Sequence, residues 1–193
     1  MSRRPTDTKS RILKTTRTLY STYGCDGTTL DDIITAAGIT KGAFYHYFKS
    51  KESLCEAVIE QLVADYHRLT ESIDQQLPPI DRLRRFIHEL SSLNASGKWV
   101  NCRLMIRLTL DSHESNPKIQ HKINDFWQWY TGFFEDLIQK CRDAGQLSKS
   151  LDIQSQSRLL ISFMAGANTL ERALPTNTDI TDLAETIIKA MQS

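Results

Sequence analysis

Apolar residues return every three or four positions along most of this 193-residue chain, which is the spacing of amphipathic α-helices. No stretch alternates apolar and polar residues for long enough to predict a strand. Glycines and prolines separate the periodic segments, because glycine ends helices readily and proline donates no backbone N–H. The pattern predicts an all-α fold. We expect about nine helices, near residues 6–23, 30–37, 41–47, 50 to the prolines at 78 and 79, 81–95, 99–113, 117–144, 153–174 and 179–191.

The second and third of these helices are short and form a pair. Gly38 ends the first of the two, because glycine accepts the positive φ of a helix C-cap, and the Thr40 hydroxyl can cap the second. Phe44 and Phe48 are four residues apart and share one face of the second helix. The side chains off that face are polar or basic, namely Lys41, Tyr45, His46, Lys49 and Lys51. This arrangement predicts a helix-turn-helix whose second helix enters the major groove of DNA.

The same stretch resembles the DNA-binding domain of the TetR/AcrR family of bacterial repressors, over about residues 9–58. The matching positions are Gly24, Gly27, Thr28, Thr29, the turn Ala37–Gly38–Ile39, Lys41, Gly42, Tyr45 and the run 47–54. Outside this stretch the chain is similar to the family in length, helical pattern and a few positions only. The resemblance implies a three-helix DNA-binding domain over residues 1–53 and a helical effector-binding and dimerisation domain over residues 54–193.

Individual contacts with DNA follow partly from residue chemistry and partly from the resemblance. Lys41 can donate to guanine O6 and N7, and Gly42 lets the backbone approach closely. His46 can face a base edge or the DNA backbone. The resemblance implies that the other positions mostly touch phosphates. The predicted DNA-binding residues are Thr28, Thr29, Thr40, Lys41, Gly42, Tyr45, His46, Tyr47, Lys49 and Lys51.

The distribution of charge is consistent with a nucleic-acid partner. The net charge is only +1, but residues 1–53 carry nine Lys and Arg against five Asp and Glu, whereas residues 54–193 carry fifteen against eighteen. A positive N-terminal segment suits phosphate contact, although such an excess alone is often only a solvated surface. The first helix adds a basic entry made of Arg3, Arg4, Lys9, Arg11 and Lys14. Its inward face is predicted to be Ile12, Leu13, Leu19, Tyr20 and Tyr23.

Composition narrows the class of protein. The chain is 40% apolar and 24% charged, which is ordinary for a globular protein, and no apolar run approaches the ~20 residues of a membrane span. The N-terminus lacks the apolar segment of a signal peptide, so we expect a cytoplasmic protein with no membrane partner. The sequence contains no Walker loop, GxGxxG, HExxH or nucleophile elbow. We therefore predict that the protein is not an enzyme and holds no cofactor.

The helix predicted over residues 117–144 is rich in aromatic residues. Such a run more often packs a core than lines a ligand site. The TetR/AcrR resemblance nevertheless implies an effector pocket within the helices after the DNA-binding domain. Trp127, Tyr130 and Phe134 share one helix face and are candidates to line it. The predicted ligand-binding residues are Trp99, Cys102, Met105, Ile106, Trp127, Tyr130 and Phe134.

The last two helices have wide apolar faces. A face this wide usually packs against more than one neighbour, within one chain or in a second copy. The resemblance implies that these helices pair with their symmetry mates as a four-helix bundle, and a two-fold axis suits the reading of a palindromic operator. The predicted dimer contacts are Leu159, Phe163, Ala167, Leu170, Leu183 and Ile187.

Four cysteines are scattered through the chain, at positions 25, 55, 102 and 141, and no CxxC pair indicates zinc. Cys102 lies where a subgroup of the family carries Gly-Cys, and some members of that subgroup respond to electrophiles or oxidants. A small buried apolar role is the ordinary alternative for a cysteine. His113, Glu114 and His121 are spaced too loosely across Pro117 to predict a metal site.

The sequence thus favours a homodimeric transcription factor that a small molecule releases from a palindromic operator. Two related alternatives stay open: a TetR-like regulator without a small-molecule effector, and a redox or electrophile sensor that uses Cys102. An all-helical enzyme, such as a glutathione-transferase-like protein, is the rival class. That class would not need a capped helix-turn-helix with clustered lysines.

Overall fold

The computed structural model describes residues 5–97, 99–111, 116–173 and 180–192. Within these ranges all regular structure is helical, which confirms the all-α prediction. The nine helices found there are α1 (Pro5–Tyr23), α2 (Leu30–Ala37), α3 (Lys41–Tyr47), α4 (Lys51–Ser72), α5 (Pro79–Ala95), α6 (Asn101–Leu110), α7 (Pro117–Asp143), α8 (Ile153–Ala173) and α9 (Ile180–Gln192).

The chain forms two compact units. Unit 1 is Met1–Asp65 with Val100–Asp125, and unit 2 is Tyr66–Trp99 with Phe126–Ser193. The division predicted after residue 53 does not coincide with these units, because α6 and the first part of α7 pack with the N-terminal helices. The assignment of DNA binding to residues 1–53 concerns function rather than packing, and it stays a prediction.

Unit 1 is organised around α1, which packs against α2 and α6. Ile12, Tyr20, Ile33 and Phe44 are fully buried there, and each such burial stabilises the fold by about 1.5–3 kcal/mol. The prediction that Tyr23 faces the core is wrong, since its side chain is 58% exposed. Helix α1 ends at this residue, so the side chain extends past the packed part of the helix.

A polar network joins three helices of unit 1. The Arg17 guanidinium donates to the Asp65 carboxylate and to the side-chain oxygen of Asn101. The Asn101 amide in turn donates to Asp65 at 3.2 Å. Because Asn101 is fully buried, leaving its amide without partners would cost free energy. The network therefore holds α1, α4 and α6 in one arrangement.

Unit 2 contains α5, α8 and α9, with α9 packed against both of the others. Leu83 and Phe86 of α5, Phe134 and Ile138 of α7 and Leu160 of α8 are fully buried in it. Arg84 donates two hydrogen bonds to the Glu185 carboxylate, at 2.8 and 2.9 Å, and so ties α5 to α9.

Three helices differ from the sequence prediction by two residues or more, and one of them is α6, which was predicted over 99–113 and spans only Asn101–Leu110. The prolines at 78 and 79 do not end α4, because this helix already ends at Ser72. In the turn that follows, the Asp74 side chain accepts a hydrogen bond from the Gln76 N–H. Pro79 instead begins α5, because a proline at the first helical position leaves no intrahelical bond unmade. Within the described ranges, no helix is both long enough and apolar enough to span a membrane.

Candidate DNA-binding interface and effector region

Helix α2 is fixed at both ends by residues that the sequence marked. The Thr29 hydroxyl accepts from the Asp32 N–H at 3.1 Å, and the Asp32 carboxylate accepts from the Thr29 N–H at 2.8 Å. These two bonds form a capping box. The Asp32 carboxylate also accepts from the Thr29 hydroxyl at 2.6 Å, and this bond, together with the one from the Thr29 N–H, lowers the pKa of Asp32. Gly38 ends the helix with φ 60° and ψ 47°. Residues other than glycine rarely adopt this left-handed backbone conformation.

Helix α3 begins at Lys41, three residues after Gly38. The Thr40 hydroxyl accepts from the Ala43 N–H at 3.1 Å, which confirms the predicted cap. Phe44 is fully buried and Phe48 is nearly so, with their ring centroids 5.8 Å apart. The two phenylalanines therefore hold one face of α3 in the core of unit 1, and the opposite face is turned to solvent.

The predicted DNA-binding residues lie on the solvent-facing side of α3, at the N-terminus of α2 and around the start of α4. Thr29, Thr40, Lys41, Gly42, Tyr45, His46 and Lys49 are exposed, and Tyr47 and Lys51 are half-buried. A Cβ placed on Gly42 would meet nothing within 4 Å, so the backbone is open to close approach. Thr28 differs from the others, because its side chain is buried and its hydroxyl donates to the Gly24 carbonyl at 2.7 Å. Of the two threonines, only Thr29 presents its side chain to solvent.

The last turn of α6 caps α1, and sequence reasoning missed this contact. The Asp111 carboxylate accepts a 2.6 Å hydrogen bond from the N–H of Cys25, just beyond the end of α1. Arg107, one turn earlier, donates to the Tyr23 carbonyl at 3.4 Å and lies 3.5 Å from the Asp111 carboxylate. The pair thus satisfies a donor and an acceptor that the helix end leaves unpaired. The i, i+4 spacing of arginine and aspartate was the available signal, but it did not identify the partner helix.

The aromatic residues of α7 form a cluster in unit 2. Tyr130 stacks on Phe126 with ring centroids 5.4 Å apart, and it meets Tyr66 at 5.4 Å and Phe134 at 5.1 Å. Trp99 packs edge-on against Tyr66 at 5.7 Å. The indole N–H of Trp99 is buried and has no hydrogen-bond acceptor among the described residues.

The predicted ligand-binding residues divide between the two units. In unit 2, Tyr130 and Phe134 are buried, whereas Trp99 and Trp127 are half-buried. In unit 1, Met105 is buried, and Cys102 and Ile106 are half-buried. The assignment of these seven residues to one pocket stays a prediction.

A groove of about 450 Å³ lies elsewhere in unit 2, between α5 and α9. Leu77, Ile87, Ala184 and Ile188 supply apolar lining, and the remaining lining residues are Asp81, Arg84, Arg85, His88, Thr181, Asp182 and Glu185. None of the residues predicted to bind a ligand lines this groove.

The terminal helices leave large apolar side chains exposed in the single chain. Leu159, Leu170 and Leu183 are 51%, 56% and 40% exposed. Of the other predicted dimer contacts, Phe163 and Ile187 are half-buried, and Ala167 is buried within the chain. Large exposed leucines on neighbouring helices mark a surface that another protein surface can cover.

No group of three or more His, Cys, Asp or Glu side chains in the described parts of the chain is placed to hold a metal ion. The Nε2 atom of His121 lies 3.4 Å from a carboxylate oxygen of Asp125 on the same helix, α7. Arg3, Arg4, His113 and Glu114 lie outside the described residues.

Comparison with known proteins agrees with this architecture. Residues 12–58 match the sequence model of the bacterial regulatory proteins of the tetR family. The HTH-type transcriptional repressor NemR of Escherichia coli strain K12 is 42% identical over 165 residues, which cover 84% of this chain and 82% of NemR.

Two solved structures show the same fold. A TetR-family transcriptional regulator from Agrobacterium tumefaciens superposes with a TM-score of 0.85 at 16% identity, over 98% of this chain and 100% of that one. The regulator FadR from Bacillus subtilis, in complex with stearoyl-CoA, superposes with a TM-score of 0.73 at 20% identity, over 95% of this chain and 97% of that one. The chain therefore belongs to the tetR family of bacterial regulatory proteins and is a DNA-binding transcriptional regulator.

Proposed function

We propose that the protein is a homodimeric repressor that binds a palindromic operator through α3 and leaves it when a small apolar molecule binds among the helices of residues 54–193. The proposal rests on one observation: α3 has one face buried in the core and the opposite face exposed to solvent. Phe44 and Phe48 anchor one face in the core, while Lys41, Tyr45 and His46 face solvent. A short capped helix with a basic, aromatic outer face suits a major groove lined by phosphates.

In α3 and at the start of α4, base reading and phosphate contact are proposed for different residues. Lys41 at the N-terminal end is the candidate to contact guanine, since a lysine there can donate to O6 and N7. Lys51, Tyr45 and Tyr47 are the candidates for phosphate contact, which positions the helix without selecting a sequence. In a two-fold dimer the two copies of α3 would contact half-sites one helical turn of DNA apart, about 34–36 Å.

The dimer is proposed to form through α8 and α9. Leu159 and Leu170 on α8 and Leu183 on α9 are exposed in the single chain, and half-buried Phe163 and Ile187 lie on the same helices. Covering such side chains contributes about 25 cal/mol for each Å² of apolar surface removed from water. NemR, similar over most of its length, is itself named a transcriptional repressor, which supports repression as the mode of action.

The operator is tested with DNA from upstream of the protein's own gene. Fluorescence anisotropy should show binding to one short segment of that DNA, and much weaker binding to an unrelated duplex of equal length at the same salt concentration. Specific binding by such regulators commonly exceeds non-specific binding by about 10³-fold or more. Equal affinity for both duplexes would contradict sequence-specific regulation.

The effector is proposed to bind at the aromatic cluster of unit 2. Tyr130, Phe126 and Tyr66 offer large apolar ring surfaces, and the Trp99 indole N–H is a buried donor with no acceptor among the described residues. A buried donor without a partner costs about 1–3 kcal/mol. A flat apolar molecule that carries one hydrogen-bond acceptor would satisfy this donor while covering the rings, so we expect this class of effector.

The fluorescence of the tryptophans provides the test. Aromatic compounds with a carbonyl or ether oxygen should change the emission and, at the same concentrations, release the operator DNA. Trp127→Ala should weaken ligand binding and leave DNA binding by the free protein unchanged, with Gln128→Ala, at an exposed position of the same helix, as the control. If emission changes without release of DNA for every compound, the protein regulates without this effector, and the first alternative would hold.

A second candidate function rests on the exposure of one cysteine. Cys102 is half-buried, whereas Cys25, Cys55 and Cys141 are buried. An accessible thiol is the one that an electrophile reaches first. If Cys102 is the sensor, a thiol-reactive electrophile will release the operator from the native protein but not from Cys102→Ser. Equal release from both proteins would exclude this role.

A further inference from the structure

We propose that the groove between α5 and α9 binds a small organic cation, whose apolar body lies along the groove and whose ammonium group pairs with acidic side chains at its rim. The groove lies within unit 2, and none of the seven predicted ligand-binding residues lines it. The inference goes beyond the proposed function, and it does not require that the protein binds DNA.

The floor of the groove is apolar. Ile87 of α5 and Ala184 and Ile188 of α9 are buried there, and half-buried Leu77, just before α5, adds an accessible apolar edge. The volume of about 450 Å³ falls within the range of about 300–1,000 Å³ in which pockets hold drug-sized ligands. A compact apolar body of that size therefore fits, and covering the apolar lining contributes to its binding.

The two arginines of the lining already have carboxylate partners. Arg84 donates to the Glu185 carboxylate at 2.8 and 2.9 Å, and it lies 3.4 Å from the Asp81 carboxylate. Arg85 pairs at 2.7 Å with Glu89, which does not line the groove. An anionic ligand would have to compete with these carboxylates for either guanidinium group.

The carboxylates of the lining outnumber the arginines that neutralise them. Of the three, Glu185 and Asp81 share one arginine, Arg84. The third, Asp182, is exposed in the first turn of α9 and makes no ion pair in the part of the chain that the structure describes. The positive end of the helix dipole, equivalent to about half a charge, offsets only part of this excess. The rim therefore favours a cation over an anion.

The positions on α9 define the form of the ligand. Asp182, Glu185 and Ile188 follow one another at intervals of three residues and so lie along one side of the helix. Six residues of helix separate Asp182 from Ile188, a distance of about 9 Å along the axis. A ring system on Ile188 and Ala184 therefore needs only a short alkyl chain to bring an ammonium group to Asp182. This geometry points to an arylalkylamine.

Affinity is tested with three probes that share one apolar body. A tricyclic arene carries a propyl chain that ends in a dimethylammonium group, a hydroxyl or a carboxylate, and each probe is titrated into the full-length protein by calorimetry. We expect the ammonium probe to bind up to about 5-fold more tightly than the hydroxyl probe, which is the range of an exposed ion pair, and the carboxylate probe to bind most weakly. Equal affinity for all three probes would overturn the assignment of a cation.

Two matched variants test the role of Asp182. Asp182→Asn removes the charge and keeps the shape, so the preference for the ammonium probe over the hydroxyl probe should fall toward 1-fold. Glu71→Gln removes a charge at an exposed position of α4 that does not line the groove, and it should keep the wild-type preference. If both variants keep that preference, the head group is not at Asp182 and the proposed pairing is wrong.

The position of the probe is measured by nuclear magnetic resonance on methyl-labelled protein. The arene protons should show nuclear Overhauser effects to the methyl groups of Leu77, Ile87, Ala184 and Ile188. Leu77→Ala should weaken all three probes on the order of 5-fold, as expected if about 40 Å² of apolar contact is lost. Trp127→Ala should leave their affinities unchanged, because Trp127 does not line the groove. Contacts only to methyl groups outside the groove, or no binding of any probe, would overturn the site and would leave the proposal of operator binding intact.

Discussion

Helix α3 and the pair α8 and α9 both expose large side chains to solvent, but those of α3 are polar or basic and those of α8 and α9 are apolar. On α3 the exposed side chains are a lysine, a tyrosine and a histidine around an open glycine, whereas on α8 and α9 they are leucines. A basic helix face binds a polyanion well, because its positive charges neutralise phosphates and release the counterions bound to them. An apolar face has its best partner in another apolar face, because water is displaced. Equal exposure therefore predicts two different partners: DNA for α3 and a second copy of the chain for α8 and α9.

The largest expected effect comes from reversing the chemistry of the apolar face. Phe163 and Leu170 are seven residues apart on α8 and share one side. Replacing both with Asp would place unpaired charges in a desolvated interface, which costs several kcal/mol. We expect the double variant to become monomeric or to unfold, and to lose operator binding, by sedimentation and anisotropy. Ser162→Asp, at an exposed polar position of the same helix, is the matched control. A folded double variant that sediments as the wild-type dimer would place the interface elsewhere.

The next effect separates the two sides of α3. Phe44 is fully buried, while its neighbour Tyr45 is 49% exposed. Phe44→Ala should destabilise the protein by about 3–5 kcal/mol, because a buried ring is lost and a cavity remains. Tyr45→Ala should change stability by less than about 0.5 kcal/mol, the norm for surface positions, yet weaken DNA binding. Thermal unfolding and anisotropy on both variants would show the contrast. Similar losses of stability would mean that Tyr45 also packs in the core.

These two regions also differ in how far the sequence alone predicts them. The helix-turn-helix follows from local signals: Thr29 and Thr40 at the caps, Gly38 at the turn, and two phenylalanines at helical spacing. Each acts within a few residues of its own position, so the elements and their outer face could be predicted correctly. The prediction for Tyr23 was wrong because helical periodicity cannot tell where the packed part of a helix ends.

Contacts between distant segments could not be predicted in the same way. The hydrogen bond from Cys25 to Asp111 and the Arg17 network with Asp65 and Asn101 both join residues far apart in sequence. Their residue types are ordinary for a surface, and only the packed helices bring them together. The groove between α5 and α9 likewise depends on which helix faces become neighbours.

A smaller effect concerns the cap that starts α3. The Thr40 hydroxyl accepts a hydrogen bond from the Ala43 N–H, so Thr40→Ala should destabilise the helix by about 0.5–2 kcal/mol and lower the melting temperature modestly. Thr40→Ser keeps an oxygen at the same position and should remain close to wild type. If the alanine and serine variants melt together, the hydroxyl is not what stabilises the start of α3.

The central claim is that α3 enters the groove of DNA with Lys51, the first residue of α4, against a phosphate, and salt dependence tests it most directly. The affinity for the operator fragment is measured by anisotropy at several salt concentrations for wild type, Lys51→Ala and Lys41→Ala. Each phosphate contact contributes a slope of about −0.9 to the plot of log affinity against log salt. Lys51→Ala should weaken binding about equally on all sequences and reduce the slope by about one unit, while Lys41→Ala should change which sequences are preferred. Unchanged affinity and slope in both variants would contradict the placement of α3 in the groove.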